Sequence, residues 1–357
     1  MKVYINFIIK VFIKSLLYVS LVMLSLVFIL NTLSEFEFFD EINVSAYLPI
    51  YMSILNSPSL IFEMFPFIFL ISTQLFFIHL FNNNEIEIFK YSGLKNSSIL
   101  GIISLLSFFL GVIIIIFFYN FSSTFKNFYL EIKSKYSIDG KYLAVITNNG
   151  LWIKDIVEKK TSIINASKIE EKFLIDTFIT EFNENYEVIK NIKAKKIDVS
   201  NREWKIIDAN VYENQINNKI ELFYKKSNFD YERIQSLFSN LSSLSIFKLF
   251  ELRENYKQLN YSTTEVNIQI QKIFSYPIYL TLMTIFSAIL MFNTKKFKSS
   301  SFKIAIGLFF SVIIYYTFNF FNVMGNTEKI SIIVSIWSPL VILFIVNTLI
   351  IYRINEK

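Results

Sequence analysis

Apolar residues in this chain gather into six long runs, at about 14–33, 58–80, 98–120, 273–293, 302–323 and 330–352. Each run is close to the roughly 20 residues a helix needs to cross about 30 Å of hydrocarbon, so each predicts a membrane-spanning helix. The first run is longer than the roughly 7–15 apolar residues of a signal-peptide core. It runs into Glu35-Phe36-Glu37 instead of a small-x-small cleavage site, and so it reads as a retained span.

Between the third and fourth runs the pattern changes to alternation. Tyr142–Thr147 and Leu151–Asp155 flank Asn148-Asn149-Gly150, and an Asn-Gly step between two β-prone runs predicts a hairpin. Further strands are predicted near 159–166, 173–182, 186–198 and 203–213, with turns at Asn183-Glu184-Asn185 and Asn201-Arg202. Helical spacing returns over 244–270, where Leu244, Phe247, Leu249 and Leu252 are apolar. The predicted fold is an α-helical membrane protein with six transmembrane helices in a 3+3 plan and an inserted antiparallel β-domain, a sandwich or half-open, jellyroll-like roll. The segments are 1–120 (spans one to three), 121–270 (the β-domain with helical connections) and 271–357 (spans four to six).

One short segment fits neither pattern. Glu85–Leu94, EIEIFKYSGL, is too short and too charged to span, yet Ile86 and Phe89 are spaced as on a helix, with Glu85, Glu87 and Lys90 between them. It predicts a short amphipathic helix at about 84–93, ended by Gly93 in a left-handed conformation.

Charge orients this plan. Lys2, Lys10 and Lys14 precede the first span, Lys295, Lys296, Lys298 and Lys303 fill the fourth-to-fifth loop, and Arg353 and Lys357 end the chain. Segment 34–57 instead carries Glu35, Glu37, Asp40 and Glu41 and no basic residue. Lysine and arginine mark the cytoplasmic side, which predicts cytoplasmic termini, a cytoplasmic 82–97 segment with Lys90 and Lys95, and an outward β-domain, periplasmic in a bacterium. The net charge of +6 and pI near 9.0 are accounted for by lysines beside spans or scattered in the middle, so no nucleic-acid partner is expected. With no cysteine and a single histidine, His79, thiolate chemistry is excluded and no metal or catalytic constellation is expected. No phosphate-binding G-x-x-x-x-G-K-[ST] loop is present, so this chain is not itself an ATPase.

Several local features, in this order across six spans, resemble the LptF/LptG permease family. They are Pro58 and Pro66 in the second span, Glu85 followed by Ser92-Gly93, Gly150–Asp155, Phe182–Asn185, Pro277 opening the fourth span, and Trp337-Ser338-Pro339 in the sixth. The β-domain segments look more like the G type than the F type. The resemblance implies the permease subunit of an ABC transporter in the bacterial inner membrane, which extracts lipopolysaccharide and passes it to a periplasmic β-jellyroll bridge. The partners it implies are a homologous LptF-like six-span permease, a cytoplasmic LptB-like ATPase dimer and a single-span LptC-like jellyroll protein. No cofactor is implied for this chain, since ATP is hydrolysed by the separate ATPase.

The resemblance also implies roles for residues. Glu85, Ile86, Phe89, Ser92 and Gly93 fall on the ATPase-coupling helix; from the residues alone, Glu85 reads equally as an acid at a solvated helix start, and Ile86 and Phe89 as groove-packing or interfacial groups. Tyr315, Tyr316, Phe318 and Phe320 in the fifth span become candidates for contact with acyl chains. Lys133 and Lys135, with Lys126, follow the third span where ammonium groups would attract lipid phosphates, although Glu131 lies among them. Glu63, about five residues inside the second span, is a functional candidate because intramembrane carboxylates are costly. In one place the pattern departs: the G type often carries a lysine near the outer end of the first span, whereas this chain reads Leu30-Asn31-Thr32-Leu33-Ser34-Glu35. The main alternative is a mechanotransmitting membrane protein that relays ATPase strokes to a periplasmic partner without moving lipid; six spans argue against it, since a common plan there uses four. A membrane-anchored sensor or adhesion protein needs neither six spans nor a cytoplasmic handle.

Overall fold

The computed structural model describes residues 3–40, 42, 44–136, 151–170, 172–213, 216–231, 233–234, 240–258, 261–294 and 299–355. The chain forms two compact units, one of residues up to Lys126 and from Thr264 onward, the other Asn127–Thr263.

The first unit is helical. Its long elements are α1 (Val3–Phe39), α2 (Tyr47–Asn82), α4 (Asn96–Tyr136), α6 (Thr264–Asn293), α7 (Ser300–Asn326) and α8 (Ile332–Asn355). All six are long and apolar enough to cross a membrane. The seven-residue α3 (Glu85–Tyr91) joins α2 to α4, and α5 (Ile246–Gln258) belongs to the second unit. Within α4, residues Ile114–Tyr119 open into a π-helical stretch before the helix continues into the second unit.

α2 and α6 are the enclosed helices, and α1 and α7 the most exposed. Because α2 contains Pro66, the carbonyl of Phe62 four residues earlier loses its helical donor. The Tyr276 hydroxyl of α6 donates to that carbonyl, and its ring stacks on Phe62 with centroids 4.6 Å apart. Other polar groups tie the same bundle: Ser287 Oγ donates to Leu70 O (2.7 Å), Thr284 Oγ1 to Ser107 Oγ (2.9 Å) and Asn347 Nδ2 to Leu282 O (3.1 Å). Small residues permit the close approach. A Cβ on Gly111 would lie 2.8 Å from the Cα of Pro277, and one on Gly307 would lie 2.1 Å from Gln74 Nε2. That Gln74 nitrogen donates to Lys303 O (2.8 Å), seating α7 on α2.

The second unit holds one six-stranded antiparallel sheet in sequence order: β1 (Leu151–Val157), β2 (Lys160–Glu170), β3 (Phe173–Phe182), β4 (Val188–Asp198), β5 (Glu203–Glu213) and β6 (Ile216–Lys226). Five strands, β1 to β5, and both turns lie close to where alternation put them. The first arm of the predicted hairpin, Tyr142–Thr147, and its Asn-Gly turn lie outside the described residues. β6 is an addition that the sequence reading missed. So is the two-residue β1–β2 turn at Glu158-Lys159, where both residues take positive φ (50° and 67°) without the usual Asn or Gly. At the β3–β4 turn, Asn183 Oδ1 accepts from the backbone N–H of Asn185 and of Glu187, both at 2.9 Å. At the β4–β5 turn the Ser200 hydroxyl donates to Asp198 (2.6 Å) and holds that carboxyl below its ordinary range.

The sheet curls for two reasons. First, pairing skips a residue in the middle of several strands, and Asp176 and Asp208 there adopt positive φ (47° and 52°). The register is the same on either side of each interruption, so no residue is inserted; the reversed φ turns the backbone there and carries the following side chains to the other face. Inward residues accordingly change parity, from Leu174 to Thr177 and Ile179 in β3 and from Trp204 and Ile206 to Ala209 and Val211 in β5. Second, the ends are clasped. Lys225 on β6 is three and four strands from Glu181 and Ser162, or roughly 14–19 Å in a flat sheet. Its ammonium nevertheless donates to Glu181 and to Ser162 Oγ (3.1 Å). Asp155 of β1 accepts from Ser227 Oγ (2.7 Å) and Asn228 Nδ2 (2.9 Å), just past β6. The result is a roll whose interior row, Ile153, Ile164, Ile179, Ile192 and Val211, is paired in register and buried.

Gly307→Leu is expected to push α7 off Gln74 and to lower stability by about 2–4 kcal/mol; an unchanged thermal midpoint in detergent would refute this packing. Lys225→Met, which leaves buried Glu181 with Lys190 (3.4 Å) as its remaining cation, is expected to cost about 1.5–3 kcal/mol. It should also speed hydrogen exchange in β6 more than in β3 and β4, and uniform exchange would mean the clasp does not hold the roll.

Candidate functional site

α3 begins after Asn84, which takes the left-handed conformation (φ 57°) and so turns the chain sharply out of α2. Its end is a Schellman motif: Leu94 N–H donates to Phe89 O and Gly93 N–H to Lys90 O, both at 2.9 Å, with Gly93 at φ 81° as its position requires.

The helix has two unlike faces. Ile86 is 2% exposed and packs with Ile8, Phe12, Phe77, Leu80 and Ile99 in the bundle core. Phe89 is half-buried beside it, edge-on to Phe7 of α1 at 6.1 Å. Ile86 thus anchors α3 in the bundle core. On the other face Ile88 and Tyr91 are exposed, Tyr91 at 89%, together with Ser92. Helical spacing carries the signal for this division: Ile86 and Phe89 are three apart, and so are Ile88 and Tyr91.

Glu85 sits at the head of the helix with its side chain 19% exposed. Its Oε1 accepts from Asn83 Nδ2 (3.4 Å) and lies 3.7 Å from His79 Nε2. Its Oε2 is buried with no hydrogen-bond partner among the described residues. An acceptor enclosed in this way costs free energy until a donor meets it.

The lipid candidates divide as well. Tyr315, Tyr316 and Phe320 of α7 are exposed. Phe318 stacks on Tyr279 at 4.2 Å and belongs to the packing between α6 and α7. Lys133 is enclosed, its ammonium donating to Tyr129 OH (2.7 Å), whereas Lys135 is exposed. A polar network that no spacing announced joins three helices. Lys126 Nζ of α4 donates to Asn56 Oδ1 (2.7 Å) of α2, and Asn56 Nδ2 donates to Asn31 Oδ1 (2.9 Å) of α1. Glu63, exposed on α2, lies within electrostatic reach of Lys126 and Lys272.

The two edges of the roll also differ. On β1 the Tyr261 hydroxyl accepts from Lys154 N–H (2.8 Å) and Asn228 Nδ2 donates to Ile156 O (2.7 Å), so side chains occupy that edge. Burial pushes the Tyr261 phenol above its ordinary value. On β6, Ile216, Leu222 and Tyr224 are exposed.

Gly93→Ala meets no neighbour within 4 Å, so its cost is conformational alone, about 1 kcal/mol. Faster hydrogen exchange confined to the amides of Gly93 and Leu94 is the expected signature, and unchanged exchange there would show that the cap is not needed.

No curated protein matches the chain. The family model for the lipopolysaccharide export system permease LptF/LptG matches residues 6–353, nearly the whole length, in accord with six long apolar helices and an antiparallel β-domain inserted after the third. The chain thus belongs to the LptF/LptG family of lipopolysaccharide export permeases.

Proposed function

We propose that this chain is one permease of an ATP-driven lipopolysaccharide extractor, coupled through α3 to a separate cytoplasmic ABC ATPase dimer and paired with a homologous six-span permease. The observation that carries the reading is the two-faced mounting of α3. One face is locked into the bundle by Ile86 and ended by the Gly93 cap, while the other offers Ile88, Tyr91 and the edge of Glu85. A helix held so firmly transmits a push to α2 and α4 instead of yielding to it. In this reading both termini and α3 face the cytoplasm and the roll faces the periplasm, in line with the lysine distribution.

The cavity in this reading is lined by α1 and α7, the helices least enclosed by their own chain, with Tyr315, Tyr316 and Phe320 toward acyl chains. Lys126 supports a site for lipid phosphate: the Asn31–Asn56 relay brings an ammonium beside α1, which lacks a lysine of its own there. Closure of the ATPase narrows the cavity and drives lipid toward the roll. The edge capping of β1 and the exposure of β6 favour β6 as the strand that a single-span jellyroll partner extends, by backbone pairing along its open edge. The G type remains the closer fit around Trp152 and Asn183.

Glu85→Lys is the test. In vesicles holding both permeases and the ATPase, it is expected to lower lipid-dependent ATP hydrolysis at least about tenfold, equivalent to about 1.4 kcal/mol of lost coupling, with the permease still folded. Full hydrolysis by this variant would sink the assignment.

A further inference from the structure

We propose that the second unit carries a phosphate-binding site where the chain that follows β6 crosses the edge of β1. A cavity of about 230 Å³ lies there, lined by Lys154 and Ile156 of β1, by Asn228 and Arg233, and by Gln258 at the end of α5. Two of these residues are cations and none is an acid. The site lies wholly within the β-domain and does not depend on the role given to α3.

The cavity is built by contacts within the protein. The Arg233 guanidinium is held from two sides, Nη1 donating to Asn228 O and Nη2 to Gln258 Oε1, both at 3.1 Å. Its backbone N–H donates to Asp230 Oδ1 (2.9 Å), which fixes the turn. The Asn228 amide is fixed as well, donating to Ile156 O (2.7 Å) and Asp155 Oδ1 (2.9 Å). Lys154 is held through its backbone N–H, which donates to the Tyr261 hydroxyl (2.8 Å). Among the described residues its ammonium has no acidic partner. Asp155 faces the buried side of β1 and already accepts from Ser227 and Asn228, so it does not fill the cavity.

An arginine fork beside an ammonium selects an oxyanion that takes several charge-assisted hydrogen bonds at once. A phosphate group brings about −1.5 to −2 charge and three acceptor oxygens, more of both than a carboxylate. Two cations from separate elements therefore favour phosphate. Bound there, it would tie β1 to the segment after β6 and to α5, at the end of the roll that Asp155 already clasps. The same group occurs as the free anion and on lipopolysaccharide, and the test separates the two.

The full chain in detergent is followed by amide hydrogen exchange, because a ligand slows the opening of the segments it joins. Inorganic phosphate is compared with sodium chloride and sodium acetate at equal ionic strength. Phosphate is expected to slow exchange over β1 and residues 227–231 at least about threefold. Lys154→Glu should abolish this slowing, whereas Lys219→Gln, an exposed lysine elsewhere on the sheet, should keep it. If intact lipopolysaccharide also slows exchange and the phosphatase-treated lipid does not, the phosphate is lipid-borne. If inorganic phosphate alone acts, the free anion is the ligand. Equal slowing by chloride or acetate, slowing that survives Lys154→Glu, or none with either source of phosphate would overturn the site.

Discussion

Hydrocarbon offers no hydrogen bonds, and that constraint organises this molecule around one contact between α2 and α6. Pro66 frees the carbonyl of Phe62 inside α2, in a region where an unmet carbonyl costs several kcal/mol. The Tyr276 hydroxyl meets it, and the stacked rings of Tyr276 and Phe62 make the same junction apolar at its edge. Once α2 and α6 are joined there, the remaining helices pack outward against them. α4 closes on α6 through Gly111 and Pro277, and α7 closes on α2 through Gly307 and Gln74. The helices left most exposed, α1 and α7, are the ones that a second permease or lipid would have to cover.

α3 and the roll are held by opposite means. Seven residues are too few for a helix to be stable alone, and α3 is held by one buried isoleucine and a glycine-ended cap. The roll must bend a single sheet far enough to enclose an apolar interior. It does so through mid-strand kinks at residues of positive φ and through a polar clasp between the end of β6 and the first three strands. The clasp groups are largely buried, so the charge of Lys225 is tied to Glu181 and not spread to solvent.

Much of this was legible in order. The six spans follow from run length, since each apolar run matches the roughly 20 residues that cross about 30 Å of hydrocarbon. Alternation located strands β1 to β5, and Gly93 announced its own left-handed turn because only glycine takes that conformation without strain. The buried face of α3 was legible in the spacing of Ile86 with Phe89, whereas the exposed pair Ile88 and Tyr91 was not singled out. β6 escaped notice because its residues are exposed on both faces and so show little alternation of burial.

Sequence alone determined the number of spans, the inserted β-domain and the short helix between the second and third spans, because length and period are local properties of the chain. Tertiary structure alone decided which of those residues meet. It brought Tyr276 to a carbonyl 214 positions away, Lys126 to Asn56 and Asn31, and Lys225 across the sheet to Glu181. It also enclosed Ile86 and Lys133 and stacked Phe318 on Tyr279. The physical reason is the same in each case: a side chain's chemistry is written in the sequence, but its partner is chosen by packing between elements that are far apart along the chain.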